Sequence, residues 1–309
     1  MSKFAVISKM VFFFLLPLFC LAKKNPNISD KIQDNLFGKV KSVKTVEYSI
    51  AFQNKIAQKG ELVMFSVKHY NQDGYITEYT EFDVDNALLQ KEISFFDKKG
   101  NKIEELLYNE NNELEQRTIT KYDAQKLPVL IVLEDNKKRK IQKFINRYDE
   151  QGYLTQLTGY DSRGKTAEKS YYTYDKHGNL VQYTGFGQFD NRKIYYKYDS
   201  QHKITEQRTT EIKGNFLEKI FFQYENQGKT EKRIYVDAND RVLYTFIYVY
   251  DDFNNLLEFT HLDKDDTITE HHEFVYQYDK NNNWIIQTFY SGVEKTAMSI
   301  TERIIEYYE

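Results

Sequence analysis

The chain has 309 residues, a formal net charge of −3, 40% hydrophobic and 29% charged residues, and 16% aromatic residues. Its near-neutral balance leaves no electrostatic footprint for nucleic acid or for an acidic membrane surface. With 26 Tyr and 22 Phe against 13 Gly and 3 Pro, it is neither a disordered tail nor a collagen-like chain.

Residues 1–22 read as a secretory signal peptide. Lys3 and Lys9 form the basic region, Met10 to Phe19 the apolar run, and Cys20-Leu21-Ala22 a cleavage site between Ala22 and Lys23. The run is too short to span a bilayer, which takes ~20 residues. Phe19 before Cys20 is the wrong context for lipoprotein processing. Cleavage removes the only cysteine, leaving no disulfide, thiolate nucleophile or sulfur-based zinc site. A thiol-free chain suits export to the periplasm, the outer surface or the medium. Residues 23–36 are polar and read as a flexible leader, and residues 37–309 as one β domain.

An internal repeat dominates that domain. An aromatic residue followed by Asp, Asn or Glu recurs at Tyr70, Phe96, Tyr122, Tyr148, Tyr174, Tyr198, Tyr224, Tyr250 and Tyr278, with Gly or Asn shortly after in every copy but those at Tyr122 and Tyr198. The first five copies are spaced by 26 residues, and a weaker copy lies 12 residues into several units, as at Phe82, Tyr108 and Tyr160. Segments of strand length remain between these punctuation marks. Within them aromatic and polar residues alternate, as in Tyr172-Thr173-Tyr174 and Tyr196-Lys197-Tyr198, which places one strand face in a core. Asp in the turn can bond the backbone two residues on. Gly74, Gly100, Gly152, Gly178, Gly228, Asn254 and Asn282 supply the residue that tolerates φ > 0.

The repeat therefore predicts an all-β protein, an antiparallel meander of about twenty strands built from 26-residue double hairpins. So long a sheet must coil or spiral, with its aromatic face as the core. The degenerate stretch 126–140, with Pro128, reads as a bend.

Tyr174-Asp175-Lys176-His177-Gly178-Asn179-Leu180 resembles the YD repeat of the RHS and teneurin-like families, as does Tyr148 to Leu154, and Tyr278 to Trp284 is similar with Asn for Gly. The resemblance covers roughly residues 65–290. It implies a spiralling β-sheet and, for a chain with no toxin-sized extension after the repeats, a short exported form of the Bacteroidetes kind. It names no ligand.

The aromatic rows could stack sugars, but core packing explains them more simply. Trp284 takes the place of Leu154, Leu180 and Leu256 and reads as core. Turn chemistry accounts for Asp251-Asp252 and Asp263 to Asp266, which are otherwise the densest calcium candidates. Adjacent His271 and His272 point to opposite faces of a strand and cannot share a metal, and Glu104-Glu105 is split in the same way. No hydrolase, P-loop or dinucleotide motif occurs. The expectation is a non-catalytic binding or structural scaffold of the cell envelope, with no cofactor, no nucleic acid and no integral membrane segment in the mature chain. Its partner would be an envelope protein or glycan. A carbohydrate-binding module or shell using the aromatic face is the alternative, followed by an envelope hydrolase.

Overall fold

A computed structural model describes residues 29–53, 56–187 and 190–309. The signal peptide, with Ala22 and Lys23, lies outside the described residues.

Twenty strands follow a one-turn helix α1 (Asp30–Gln33). They are β1 (Val40–Gln53), β2 (Ile56–Tyr70), β3 (Ile76–Phe82), β4 (Leu88–Phe96), β5 (Lys102–Tyr108), β6 (Leu114–Tyr122) and β7 (Pro128–Asp135). Then come β8 (Lys140–Tyr148), β9 (Leu154–Tyr160), β10 (Thr166–Tyr174), β11 (Leu180–Gly187), β12 (Arg192–Tyr198), β13 (Ile204–Glu211) and β14 (Phe216–Glu225). The last are β15 (Thr230–Val236), β16 (Val242–Tyr250), β17 (Leu256–Asp263), β18 (Ile268–Tyr278), β19 (Trp284–Ser291) and β20 (Thr296–Tyr307). Each pairs antiparallel with its neighbour in sequence, as the repeat predicts.

The sheet coils on itself, as its length requires, and it closes into a barrel instead of spiralling open. β1 pairs with β20 from Val40 opposite Tyr307 to Tyr48 opposite Ile300. Accumulated twist carries the last strand back to the first, and pairing them leaves no unpaired edge. The result is a 20-stranded barrel with alternate turns at opposite mouths.

The turns explain the regularity. After Tyr148, the Asp149 carboxylate Oδ1 accepts the N–H groups of Gln151 (3.0 Å) and Tyr153 (2.8 Å), and the Gly152 N–H donates to the Asp149 carbonyl (3.1 Å). Gly152 has φ +87°, and the register slips by one residue between Arg147 and Tyr148. This is a type I turn closed by a left-handed residue and a bulge. The same geometry recurs at Asp97, Asp123, Asp175, Asp251 and Asp279. Positive φ is found at Gly74, Gly100, Gly178, Gly228, Asn254 and Asn282 as well. The turn at Gly228 alone among these differs: Glu225 pairs with Thr230 around a short 3-10 turn, Asn226–Gly228, and Asn226 and Gln227 share the positive φ.

Two expectations need correction. The stretch 126–140 is no bend, because Asp123 and Asp135 make the same turn as their neighbours. Pro128 opens β7, where a missing N–H is tolerated. The leader over 23–36 is not loose from Ser29 onward. Ser29 and Leu36 are buried, and Leu36 packs in a cluster with Val40, Val43 and Tyr70. Its polarity, read as solvation, is used up in fixed hydrogen bonds to the rim.

Candidate functional site

Paired residues of neighbouring strands share a face, so the register sorts every side chain into one of two walls. The wall that carries the repeat aromatics is the less exposed one and faces the lumen, whereas Thr173, Lys197, Gln223 and Gln277, each one residue before a repeat aromatic, are exposed.

The inner wall is not uniform. Two residues before the repeat aromatic stand Lys68, Ser94, Thr120 and Asn146, and then Tyr172, Tyr196, Phe222, Tyr248 and Tyr276. A polar arc thus runs from β2 to β8 and an aromatic arc from β10 to β18. In the polar arc Lys102 Nζ lies 2.9 Å from Glu105. Burial pulls the Lys102 ammonium down, but the charge and hydrogen bond of Glu105, with Asp30 and Glu92, together leave its pKa raised. Burial raises the Glu92 carboxyl, with Glu105 adding to the effect.

The aromatic arc has two parts. Over β8–β13 it is packed: Leu154, Tyr172, Leu180, Tyr183, Ile194 and Tyr196 are buried together, with Tyr148, Tyr174 and Tyr198 against them. Burial pushes the Tyr172 and Tyr196 hydroxyls up to about 12. Over β15–β19 the rings are half-buried and form a continuous surface. Tyr235 stacks on Tyr244 at 4.5 Å, Phe246 meets Phe259 at 5.6 Å, Phe259 stacks on His272 at 5.7 Å, and Phe274 stacks on Phe289 at 5.2 Å. His261 sits 4.8 Å from Phe246. Each of these contacts joins neighbouring strands and lies along the wall.

Trp284, expected in the core, is half-buried beneath Arg303, whose guanidinium lies 3.5 Å over the ring. Arg303 Nε and Nη1 have no hydrogen-bond partner among the described residues, and burial lowers its pKa to about 10.

A strap of residues 29–37 crosses one mouth. Lys31 N–H donates to the Gly74 carbonyl (2.8 Å) and Asp30 accepts the Ile76 N–H (2.7 Å). Asp34 pairs with Lys68 (2.8 Å) and accepts the Tyr70 hydroxyl (2.5 Å), while the Asn35 amide donates to the Phe253 carbonyl. Asn283 Oδ1 accepts the Phe37 N–H (2.7 Å). Neither the strap nor Arg303 was legible in the repeat, because both lie outside its period.

His271 and His272 separate as their adjacency requires. His271 bonds Thr260 (3.0 Å) on the outer wall, and His272 joins the inner rings. Glu104 pairs with Arg117 at 2.6 Å outside, and Glu105 with Lys102 inside. Asp251 and Asp263 hold their own turns. Among the described residues no group of three or more His, Cys, Asp or Glu is placed to hold a metal ion.

No family model matches the chain, and no curated protein does. Among solved structures it is similar to a porin-like protein from Bacteroides uniformis at 10% identity, covering 86% of this chain and 96% of that one, with a TM-score of 0.39. A porin-like protein from Bacteroides vulgatus follows at 12% identity, 87% and 98% coverage and a TM-score of 0.27. A Photorhabdus luminescens Tc holotoxin pore matches at 12% identity and a TM-score of 0.37, covering 82% of this chain and 14% of that one. The resemblance to the YD repeat therefore rests on the repeat residues themselves.

Proposed function

We propose that the protein is a non-catalytic envelope β-barrel that works in water as a binding scaffold, taking its ligand against the aromatic part of the inner wall. One observation carries this reading: the rings over β15–β19 are continuous yet only half-buried. Rings serving only as core would be covered, as Tyr172 and Tyr196 are at 8% and 6% exposure.

Water on the outside follows from the outer wall. Three residues before each repeat aromatic an apolar residue faces outward, among them Ile93, Ile119, Ile145, Ile247 and Val275. Two residues further back stand Lys91, Arg117, Lys143, Lys169, Lys193 and Lys219. A lipid-facing barrel needs an apolar band about 25 Å tall, whereas here charged side chains interrupt the outward apolar residues after one or two positions along a strand, as Lys91 does before Ile93 and Phe95. The non-catalytic part is supported by three inner acids that already have partners: Glu105 with Lys102, Glu81 with the Tyr79 hydroxyl, and Glu270 with His272.

Trp284 reports on the lumen. Titration with neutral cello- and chito-oligosaccharides should shift its emission, and Phe259→Ala should weaken the response. Unchanged emission with both ligands, together with Trp284 shielded from iodide, would leave a purely structural barrel.

A further inference from the structure

The outer wall of β8–β14 carries charge of almost one sign. Pairing runs straight across it from Arg147 to Gln156, Tyr171, Thr184 and Lys193, so these residues share the outer face. Tyr195, Arg208 and Lys219 continue it. Glu206 and Glu225 are the two acids on this face among the described residues, and each is already paired, Glu206 with Lys197 and Glu225 with Lys232, both at 2.8 Å. Lys219 reaches Asp240 in the rim turn at 2.7 Å. Arg147, Lys169, Lys193 and Arg208 have no acidic partner among the described residues. Elsewhere the outer wall neutralises itself, as where Lys91 meets Glu78 and Arg117 meets Glu104 and Glu134.

Exposed rings lie between these cations. Tyr171, Phe186 and Tyr195 are 41%, 40% and 39% exposed, and Tyr171 meets Phe186 edge-on at 6.0 Å. Beside Tyr195 a shallow groove of about 330 Å³ is lined by Lys197, Glu206, Arg208 and Thr210. A line across the strands meets Arg147, Tyr171 and Lys193 on β8, β10 and β12, and strands two apart are separated by ~9.5 Å. Cation, flat ring and cation thus alternate at close to the length of a disaccharide.

We propose that the outer wall of β8–β14 is a docking surface for an acidic polysaccharide. Sugar rings stack on Tyr171 and Tyr195, and carboxylate or sulfate groups on the same chain meet Arg147, Lys169, Lys193 and Arg208. A nucleic-acid strand, the other polyanion whose rings could stack on Tyr171 and Tyr195, is set against the polysaccharide in the test below. This surface lies on the opposite face of the sheet from the lumen, so the two readings stand or fall separately.

Binding of polygalacturonate, heparin, neutral dextran and oligo-thymidylate to the full protein decides it, with Lys169→Glu/Lys193→Glu, Tyr171→Ser/Tyr195→Ser and Phe246→Ala as variants. All should melt within a few degrees of the parent except Phe246→Ala. At least one acidic polysaccharide should bind, more weakly as salt rises, while dextran does not. The charge-reversal pair should lose about tenfold in affinity. The ring pair should lose affinity with the salt dependence unchanged, and Phe246→Ala, a lumen residue, should lose none. Failure of both acidic polymers, equal binding of dextran, or tighter binding of oligo-thymidylate overturns the proposal. So does a charge-reversal pair that binds like the parent.

Discussion

The Tyr174 hydroxyl on β10 donates a 2.8 Å hydrogen bond to the carbonyl oxygen of Leu154, the first residue of β9. Tyr122 does the same to Lys102 (2.8 Å), Tyr148 to Pro128 (3.0 Å) and Tyr198 to Leu180 (2.7 Å). In each case the repeat tyrosine lies back along the inner wall and reaches one strand behind its own. The ring supplies apolar contact, and the hydroxyl satisfies a carbonyl beside the turn bulge.

Removing one such hydroxyl should cost little and removing the ring much. Tyr174→Phe leaves the Leu154 carbonyl without its partner and should destabilise by about 1 kcal/mol. Tyr198→Ala deletes a half-buried ring packed on the Leu180 and Tyr196 cluster and should cost about 3 kcal/mol. Urea unfolding of both variants beside the parent measures the difference, and equal midpoints for Tyr198→Ala would show the ring to be dispensable to the fold.

Gly178 and Gly100 separate backbone strain from steric fit. Both have φ of +81°, but a Cβ at Gly178 would fall directly on the Tyr153 hydroxyl, whereas at Gly100 it meets nothing within 4 Å. Val at Gly100 should therefore show only the conformational penalty of about 1 kcal/mol. Val at Gly178 should cost clearly more, since Tyr153 must also leave its stacking on Tyr174 at 4.9 Å. Thermal melting ranks the two.

Acid should loosen the turns together. Backbone bonds from Asn101, Arg241 and Thr267 hold the carboxyls of Asp97, Asp237 and Asp263 below their usual value, and the Arg139 side chain does so first for Asp135. A depressed folded pKa contributes stability that is complete above the unfolded aspartate value of about 3.9 and is lost as pH falls through the folded values. Melting temperature should thus hold down to about pH 4 and fall below it. Asp135→Ala should flatten part of that fall.

Alkali should act through the tyrosines, with the opposite sign. Burial raises the hydroxyls of Tyr122 and Tyr148 to about 12 and those of Tyr174 and Tyr198 further. Their neutral forms stabilise the fold fully below the unfolded value of about 10, and that stability is lost as pH rises beyond it. Absorbance at alkaline pH should show one class of tyrosines titrating near pH 10 and a second appearing only as the barrel unfolds.

The repeat made the strands, the turns and the inward rows legible. Tyr, Asp and Gly at fixed offsets act within a few residues, through a side chain that bonds its own turn and a glycine that relieves positive φ. Leu154, buried completely, and Asp175, bonded to His177 and Asn179, sit where that local chemistry places them. Closure lay beyond it. Whether β20 meets β1 depends on twist summed over twenty strands, and no single hairpin encodes that sum. The strap depended on tertiary structure for the same reason, since Asp34, Asn35 and Phe37 find partners at Lys68, Phe253 and Asn283, far away in the chain. The division of the aromatic arc was also decided in three dimensions. Tyr172 and Tyr248 hold the same place in the repeat, yet Tyr172 is covered by Leu154, Tyr183 and Tyr196, whereas Tyr248 remains half-buried beside Phe259. Burial belongs to what surrounds a ring, and the repeat specifies only which way the ring points.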